Sequence, residues 1–302
     1  MNMNKTAKII VIAFLLIVIA VVAYRTYSTE KQETGPIKMG IATILNGDFA
    51  AAGENMVNAT KLAVKEINDK GGINGRMIEL TVEDSGCSSK EGLSAVQKLI
   101  STDGIRYIVG GMCSNGTLAG APIANQNKAL IMTPVTGGSN VDNAGEYIFR
   151  NANSDVLAGH DIAIAMIKLG YKDVGVVAEV TEYTLDIKKT FEQTIQEQGG
   201  TVVISEEFQS GTQDYRTLAS KVKEKKPQAV LVLSQTGTNA AQFIKQSREI
   251  GFTPALFTDF TLASNDNAKK ILGSFEGLYF ADPAYDAESA ETKAFFNEYE
   301  KT

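Results

Sequence analysis

Short apolar runs alternate with longer amphipathic stretches along most of the chain. A run of four to nine mostly apolar residues indicates a buried strand, and apolar positions recurring every three or four residues indicate a helix. The first half of the pattern predicts strands at 37–45, 77–83, 105–110 and 129–132, and helices at 53–70, 88–101 and 115–127. Strands that alternate with helices form parallel sheets covered on both faces.

The same alternation restarts after residues 147–150. It predicts helices at 155–169, 184–198, 214–225 and 238–249, and strands at 173–178, 201–207, 228–233 and 255–258. We therefore predict an α/β fold of two Rossmann-like lobes, each a parallel sheet flanked by helices, with a hinge between them. Lobe 1 is expected at 37–152 and lobe 2 at 153–277. Residues 278–302, a strand and a helix, are expected to return to lobe 1, and the pattern stops at Thr302 inside that helix, which suggests a truncated chain.

The N-terminal segment differs from everything that follows. Lys5 and Lys8 precede an uninterrupted apolar run at 9–23, which is typical of an export signal or a membrane anchor. The run is short for a spanning helix and long for a signal core, so residues 1–27 fit either a cleaved signal or a retained anchor. Residues 28–36 form a polar tether, and the positive residues before the run place the remainder outside the cytoplasmic membrane.

Charge and composition exclude several function classes. The net charge is −6, and it becomes −9 without residues 1–27, which contain three basic and no acidic residues; such a surface repels nucleic acid. A single histidine, His160, and two cysteines provide no zinc or redox cluster, so we predict no metal and no cofactor. In an oxidising compartment, Cys87 and Cys113 are candidates for a structural disulfide.

Two polar, glycine-containing loops follow neighbouring predicted strands, at 110–117 and 133–140. Ligands of open α/β sheets bind at the carboxyl ends of strands, and the N-terminus of the helix after the first loop attracts a carboxylate. Two ordinary surface turns are the alternative. The chain has no dinucleotide-binding, phosphate-binding or hydrolase motif and shows no paired base and nucleophile, so we predict a protein that is not an enzyme.

Several motifs together resemble one family. They are Ala63-Val64-Lys65-Glu66-Ile67-Asn68 before Gly71-Gly72-Ile73-Asn74-Gly75, Glu83-Asp84 before Cys87, Cys113-Ser114-Asn115-Gly116-Thr117, Thr133-Pro134, Asp214-Tyr215, and Gln246 through Arg248 to Gly251. From residue 37 to about 302, the chain resembles the Leu/Ile/Val-type solute-binding proteins of branched-chain amino acid ABC transporters, which have the type I periplasmic-binding fold.

The resemblance implies that the two lobes close on an amino acid and deliver it to an ABC permease, without catalysis and as a monomer. It implies that the ligand's carboxylate binds at Ser114, with Asn115 beside it, and at the loop of Thr136 and Gly137. The ammonium is expected near the Val135 backbone. In lobe 2 the resemblance implies a ligand contact from Tyr183, and it matches the pairing of Cys87 with Cys113.

Three positions depart from the family's pattern. Gly137 stands where the family has a hydroxyl, so that contact is expected from Thr136 or Ser139. The family's acidic partner for the ammonium aligns with Phe260, and we assign that role to the adjacent Asp259. Ala52 replaces an aromatic residue and predicts a larger or differently shaped side-chain pocket if it faces the ligand.

Two alternatives to amino acid delivery remain at this point. The same fold serves as the ligand-binding domain of sensory systems, and a retained N-terminal anchor suits that role. A pocket with altered polar contacts also suits a small carboxylate that lacks an ammonium group.

Overall fold

The computed structural model describes residues 13–20 and 35–301. Residues 13–20, inside the apolar run, are helical. Most of the predicted export segment and tether falls on residues 1–12 and 21–34, outside the described residues. In the described part of the chain, no helix combines the length and hydrophobicity that crossing a membrane requires.

The first lobe is built on five parallel strands in the order β2-β1-β3-β4-β5. The strands are β1 (Ile37–Thr43), β2 (Ile78–Asp84), β3 (Tyr107–Gly110), β4 (Leu130–Thr133) and β5 (Ile148–Arg150). The intervening helices are α1 (Ala50–Asp69), α2 (Ser89–Gln97), which continues into a π-helical turn (Lys98–Thr102), and α3 (Ser114–Gln126); a 3-10 turn (Ser139–Asn143) precedes β5. The α/β architecture predicted from the pattern is confirmed.

The second lobe repeats this arrangement. Its sheet has the order β7-β6-β8-β9-β10, which matches the order of the first sheet strand for strand. The strands are β6 (Asp173–Glu179), β7 (Thr201–Phe208), β8 (Ala229–Leu233), β9 (Ala255–Asp259) and β10 (Leu278–Ala281). The helices are α4 (Asp155–Lys168), α5 (Glu182–Glu197), α6 (Arg216–Glu224), α7 (Thr238–Glu249), α8 (Phe260–Ala263), α9 (Asp266–Leu272) and α10 (Ala290–Tyr299).

The cores follow from side chains alternating across each sheet. In β8 all five residues are buried, with Val230 and Val232 packing on one face and Leu231 and Leu233 on the other. A central parallel strand covered by helices on both faces requires such a continuous apolar run. In the first sheet, Met132 of β4 and Phe149 of β5 pair in register and remain partly exposed on one face.

The expected return to lobe 1 at residue 278 is wrong for the strand. Strand β10 pairs in parallel with β9, with Leu278 opposite Leu256, and Leu278 and Phe280 pack against the core of the second lobe. Helix α10 lies against α1 of lobe 1, where the Tyr299 hydroxyl donates to the side-chain oxygen of Asn55 at 2.9 Å. The chain therefore passes from lobe 2 to lobe 1 between Ala281 and Ala290.

Candidate functional site

A narrow cleft lies between the lobes, at the carboxyl ends of strands from both sheets. In sheets with this strand order, the crevice lies where the order reverses, beside β1 and β3 in one lobe and beside β6 and β8 in the other. The residues that line the cleft are Phe49, Met112, Cys113, Ser114, Val135, Thr136, Gly137, Tyr183, Gln235, Phe260 and Thr261.

The start of helix α3 supplies hydrogen-bond donors to the cleft. Ser114 is the first residue of the helix, where backbone N–H groups have no partner within the helix and the helix dipole favours negative charge. Its hydroxyl is buried and accepts a hydrogen bond from the Gly138 backbone N–H at 3.2 Å. The hydroxyl hydrogen remains available for a carboxylate in the cleft.

The loop after β4 is held against the loop after β3. The Thr136 hydroxyl donates to the Gly111 carbonyl at 2.7 Å and lies 3.1 Å from the Thr117 hydroxyl. Its backbone N–H donates to the Thr133 hydroxyl at 2.9 Å. The hydroxyl and the backbone N–H of Thr136 therefore both stabilise the loop. Val135, next to it, is more than a third exposed.

Tyr183 and Asp259 form a buried pair on the side of lobe 2. Thr181 caps helix α5 by accepting from the Thr184 N–H, which fixes Tyr183 in the first turn. The Tyr183 hydroxyl donates to Asp259 Oδ2 at 2.9 Å, and Asp259 Oδ1 accepts from the Thr261 N–H at 3.0 Å and from the Thr261 hydroxyl at 2.5 Å. Burial raises the pKa of Asp259 to about 6, and the hydrogen bonds from Thr261 and Tyr183 limit the rise.

Asp155, which the sequence did not single out, lies beside Gly137. A Cβ atom at Gly137 would stand 2.1 Å from Asp155 Oδ1, so glycine leaves space for this carboxyl group. Asp155 is buried, and its Oδ2 has no hydrogen-bond partner. Burial raises its pKa to about 8, and the charges of Asp186 and Asp259 add to the effect while Arg150 opposes it.

The structure brings together most of the predicted site residues. Ser114, Val135, Thr136, Gly137 and Tyr183 line one cleft, and Asp259 supports it through the Tyr183 hydroxyl.

Two of the predicted positions lie elsewhere. Asn115 faces a wider polar opening next to the cleft and donates to the Cys87 carbonyl at 3.1 Å. Ala52 packs against a core cluster of lobe 1 and is not among the residues that line the cleft, whereas Phe49 lines it. The predicted disulfide between Cys87 and Cys113 is present, and it tethers the start of α3.

The lobes also contact each other outside the cleft. The Ser139 N–H of lobe 1 donates to Asp186 Oδ2 of lobe 2 at 2.6 Å. Asn267 of lobe 2 donates to Asp48 Oδ1 of lobe 1 at 3.2 Å. No group of three or more potential metal ligands occurs among the described residues.

The similarity of this chain to known proteins shows its family. The model of the periplasmic binding protein family matches residues 36–302. The chain belongs to this family. As a periplasmic binding protein, it has a relative in the leucine-, isoleucine-, valine-, threonine- and alanine-binding protein of Pseudomonas aeruginosa, which is 27% identical over 274 residues, or 87% of this chain and 73% of the relative.

Solved structures of ABC transporter components are similar to this periplasmic binding protein. LivJ of Streptococcus pneumoniae, a branched-chain amino acid transporter substrate-binding protein solved with isoleucine, is similar with a TM-score of 0.78 and 25% identity, over 88% of this chain and 77% of LivJ. A solute-binding protein of R. palustris solved with 4-hydroxybenzoate has a TM-score of 0.78 and 20% identity, over 88% of this chain and 73% of that one. The second likeness shows the shared fold.

Proposed function

We propose that this protein binds an amino acid between its lobes outside the cytoplasmic membrane and delivers it to an ABC permease. The observation that carries the proposal is the polarity of the cleft. Donors at the start of α3 lie on one wall. Nearby, the Tyr183 hydroxyl and the carboxyl groups of Asp155 and Asp259 provide acceptors, and Asp259, with a pKa of about 6, is mostly ionised at pH 7. A zwitterion matches both features at once, whereas a purely anionic or purely cationic ligand matches one.

The ligand's carboxylate and ammonium groups bind to different sets of residues in this proposal. The α-carboxylate accepts from the Ser114 hydroxyl and from the N–H groups at the start of α3. The ammonium lies between the Val135 backbone, the Tyr183 hydroxyl oxygen and Asp155, whose Oδ2 is unpaired. Asp259 has its oxygens engaged by Tyr183 and Thr261, so it orients Tyr183 and adds negative potential, which modifies the direct role first assigned to it.

The relatives support the transport role. The Pseudomonas relative is named for the amino acids it binds, and LivJ is a transporter component solved with isoleucine. We propose export or anchoring through the apolar run at 9–23, a monomeric state, and a permease as the partner, without catalytic activity.

A small carboxylate without an ammonium group is the second candidate ligand. The specific observation in its favour is Asp155, because a carboxyl group with a pKa of about 8 is mostly neutral at pH 7. A neutral Asp155 tolerates a ligand that brings no positive charge.

Calorimetry with matched ligands tests the proposal. Each L-amino acid is titrated into the protein, and so is an analogue that lacks the ammonium group, either the 2-oxo acid or the acid with no substituent at that carbon. The variant of the site is Ser114→Ala. Ser220→Ala, on the exposed face of α6, is the matched control. We expect an amino acid to bind and its deaminated analogue to bind at least tenfold more weakly, and Ser114→Ala alone to weaken binding. Equal binding of the two analogues contradicts the amino acid assignment.

A further inference from the structure

The backbone of Gln235 is fixed at the mouth of β8. Its N–H donates to Glu179 Oε2 at 2.8 Å, and Glu179 Oε1 accepts from the Ser210 hydroxyl at 2.6 Å. Glu179 is only 3% exposed, and a buried carboxylate with both oxygens paired holds its partners in one geometry. Gln235 therefore projects from a rigid loop.

Gln235 lines the cleft together with three large apolar side chains. Phe49, Met112 and Phe260 line the same cleft. The Gln235 amide nitrogen approaches Cys113 Sγ at 3.7 Å, a weak contact to the disulfide. Its Oε1 is buried and has no hydrogen-bond partner.

Two threonine hydroxyls that line the cleft are already engaged. The Thr136 hydroxyl is used within its loop, and the Thr261 hydroxyl lies within hydrogen-bond distance of the Ser234 carbonyl and Asp259. Among the described residues that line the cleft, Gln235 is the one with a buried side-chain acceptor lacking a partner. A buried unpaired carbonyl is unfavourable, and a ligand group that satisfies it binds more tightly than an apolar group of the same shape.

We propose that Gln235 is a specificity-determining residue that selects amino acids carrying a hydrogen-bond donor on the side chain, such as a hydroxyl or an amide. This inference rests on the proposed function and names the class of ligand. The donor pairs with Gln235 Oε1, and Phe49, Met112 and Phe260 contact the methyl or methylene groups of the same side chain. A purely aliphatic side chain leaves the amide oxygen unpaired.

Isosteric ligand pairs test the inference with the full chain. L-threonine and L-valine have nearly the same shape and differ in one hydroxyl, and L-asparagine and L-leucine form a second pair. Dissociation constants are measured calorimetrically at pH 8 for wild type and for Gln235→Met, which keeps the side-chain length and removes both polar atoms. Gln196→Met, on the exposed face of α5, is the matched control.

We expect wild type and Gln196→Met to bind the donor-bearing member of at least one pair about tenfold more tightly, and Gln235→Met to lose or invert that preference. The wild-type comparison needs no variant, so it stands even if Gln235→Met does not fold. Valine and leucine binding as tightly as their partners in wild type overturns the inference while leaving the proposed function intact. Binding of no amino acid at all overturns the proposed function, and the inference with it.

Discussion

The protonation of Asp155 gives amino acid binding a pH dependence with a defined sign. Its pKa is about 8 in the ligand-free protein because of burial and the nearby charges of Asp186 and Asp259. An ammonium group binds the ionised carboxylate, so binding below pH 8 must first release a proton. The affinity for an amino acid is therefore expected to fall as the pH falls from 8 to 6, a range in which the ligand's ammonium remains charged.

The magnitude follows from the ionised fraction of Asp155. With a pKa of about 8, roughly half of the carboxyl groups are ionised at pH 8 and about one in a hundred at pH 6, so the dissociation constant should rise about 50-fold. Asp259, with a pKa of about 6, stays largely ionised until the lower end of this range. At pH 7, binding should release about 0.9 proton per ligand.

Calorimetry in two buffers of different ionisation enthalpy measures both quantities. Asp155→Asn should bind an amino acid at pH 8 about as weakly as wild type does at pH 6, with little remaining pH dependence. The ligand-free stability gives an independent check. A buried carboxyl group whose pKa is raised from 3.8 opposes folding increasingly as the pH rises from about 4 to 8, so the wild-type melting temperature should fall over that range more than that of Asp155→Asn.

An affinity that rises as the pH falls would contradict the pairing of the ligand's ammonium group with Asp155. A ligand carboxylate without an ammonium group favours the neutral form of Asp155, so its affinity should rise as the pH falls, with proton uptake. Proton uptake, or an affinity that does not change between pH 8 and 6, excludes the pairing of an ammonium group with Asp155.

Three further outcomes can be measured directly. Tyr183→Phe removes the hydroxyl proposed to contact the ammonium group and should weaken amino acid binding about tenfold in calorimetry; an unchanged dissociation constant contradicts the proposed contact. Gly137→Ala places a Cβ 2.1 Å from Asp155 and should lower the melting temperature, whereas Gly116→Ala, with its nearest atom at 3.4 Å, should not; equal effects contradict the steric explanation. Reduction of the disulfide should lower the free energy of unfolding by about 3 kcal/mol in denaturant titrations, and an unchanged midpoint would show that the bridge adds no stability.

The alternation of apolar and amphipathic segments was sufficient to predict the fold. The strand β8 illustrates why, since a short, continuous apolar run between amphipathic helical segments is typical of a buried strand in a parallel sheet. Predicted element boundaries differ from the observed ones by a few residues. Helix α5 begins at Glu182 instead of residue 184 because Thr181 caps it, and that shift places Tyr183 in the first turn.

Short elements and edge strands were harder to predict. Helices α8 and α9 span four and seven residues, too few for a helical period to be recognised, although Asp259 and Asn265 act as caps. The sequence predicts a strand at 278–280 but contains no signal for its partner. Strand pairing depends on which sheet edge is open, a property of the assembled lobe.

Only part of the site could be predicted from the sequence. Loops after strands locate the edge where a ligand binds, so Ser114 and residues 135–137 could be found from the sequence. Asp155 could not, because an acidic residue in the first turn of a helix is common for electrostatic reasons alone. The only signal was the glycine at position 137, whose missing side chain leaves the space that Asp155 fills.

The hydrogen bonds between lobes outside the cleft have a consequence for how affinity is set. Contacts such as that of Asn267 with Asp48 join the two lobes without lining the cleft. The observed dissociation constant equals the intrinsic one divided by the fraction of molecules that are competent to bind. Substituting Asn267 by alanine should therefore change the affinity for every ligand by the same factor, as a ratio of dissociation constants would show. The ligand concentration at which the protein becomes half saturated and its preference among ligands are then controlled by different residues. Each property can change in evolution without the other.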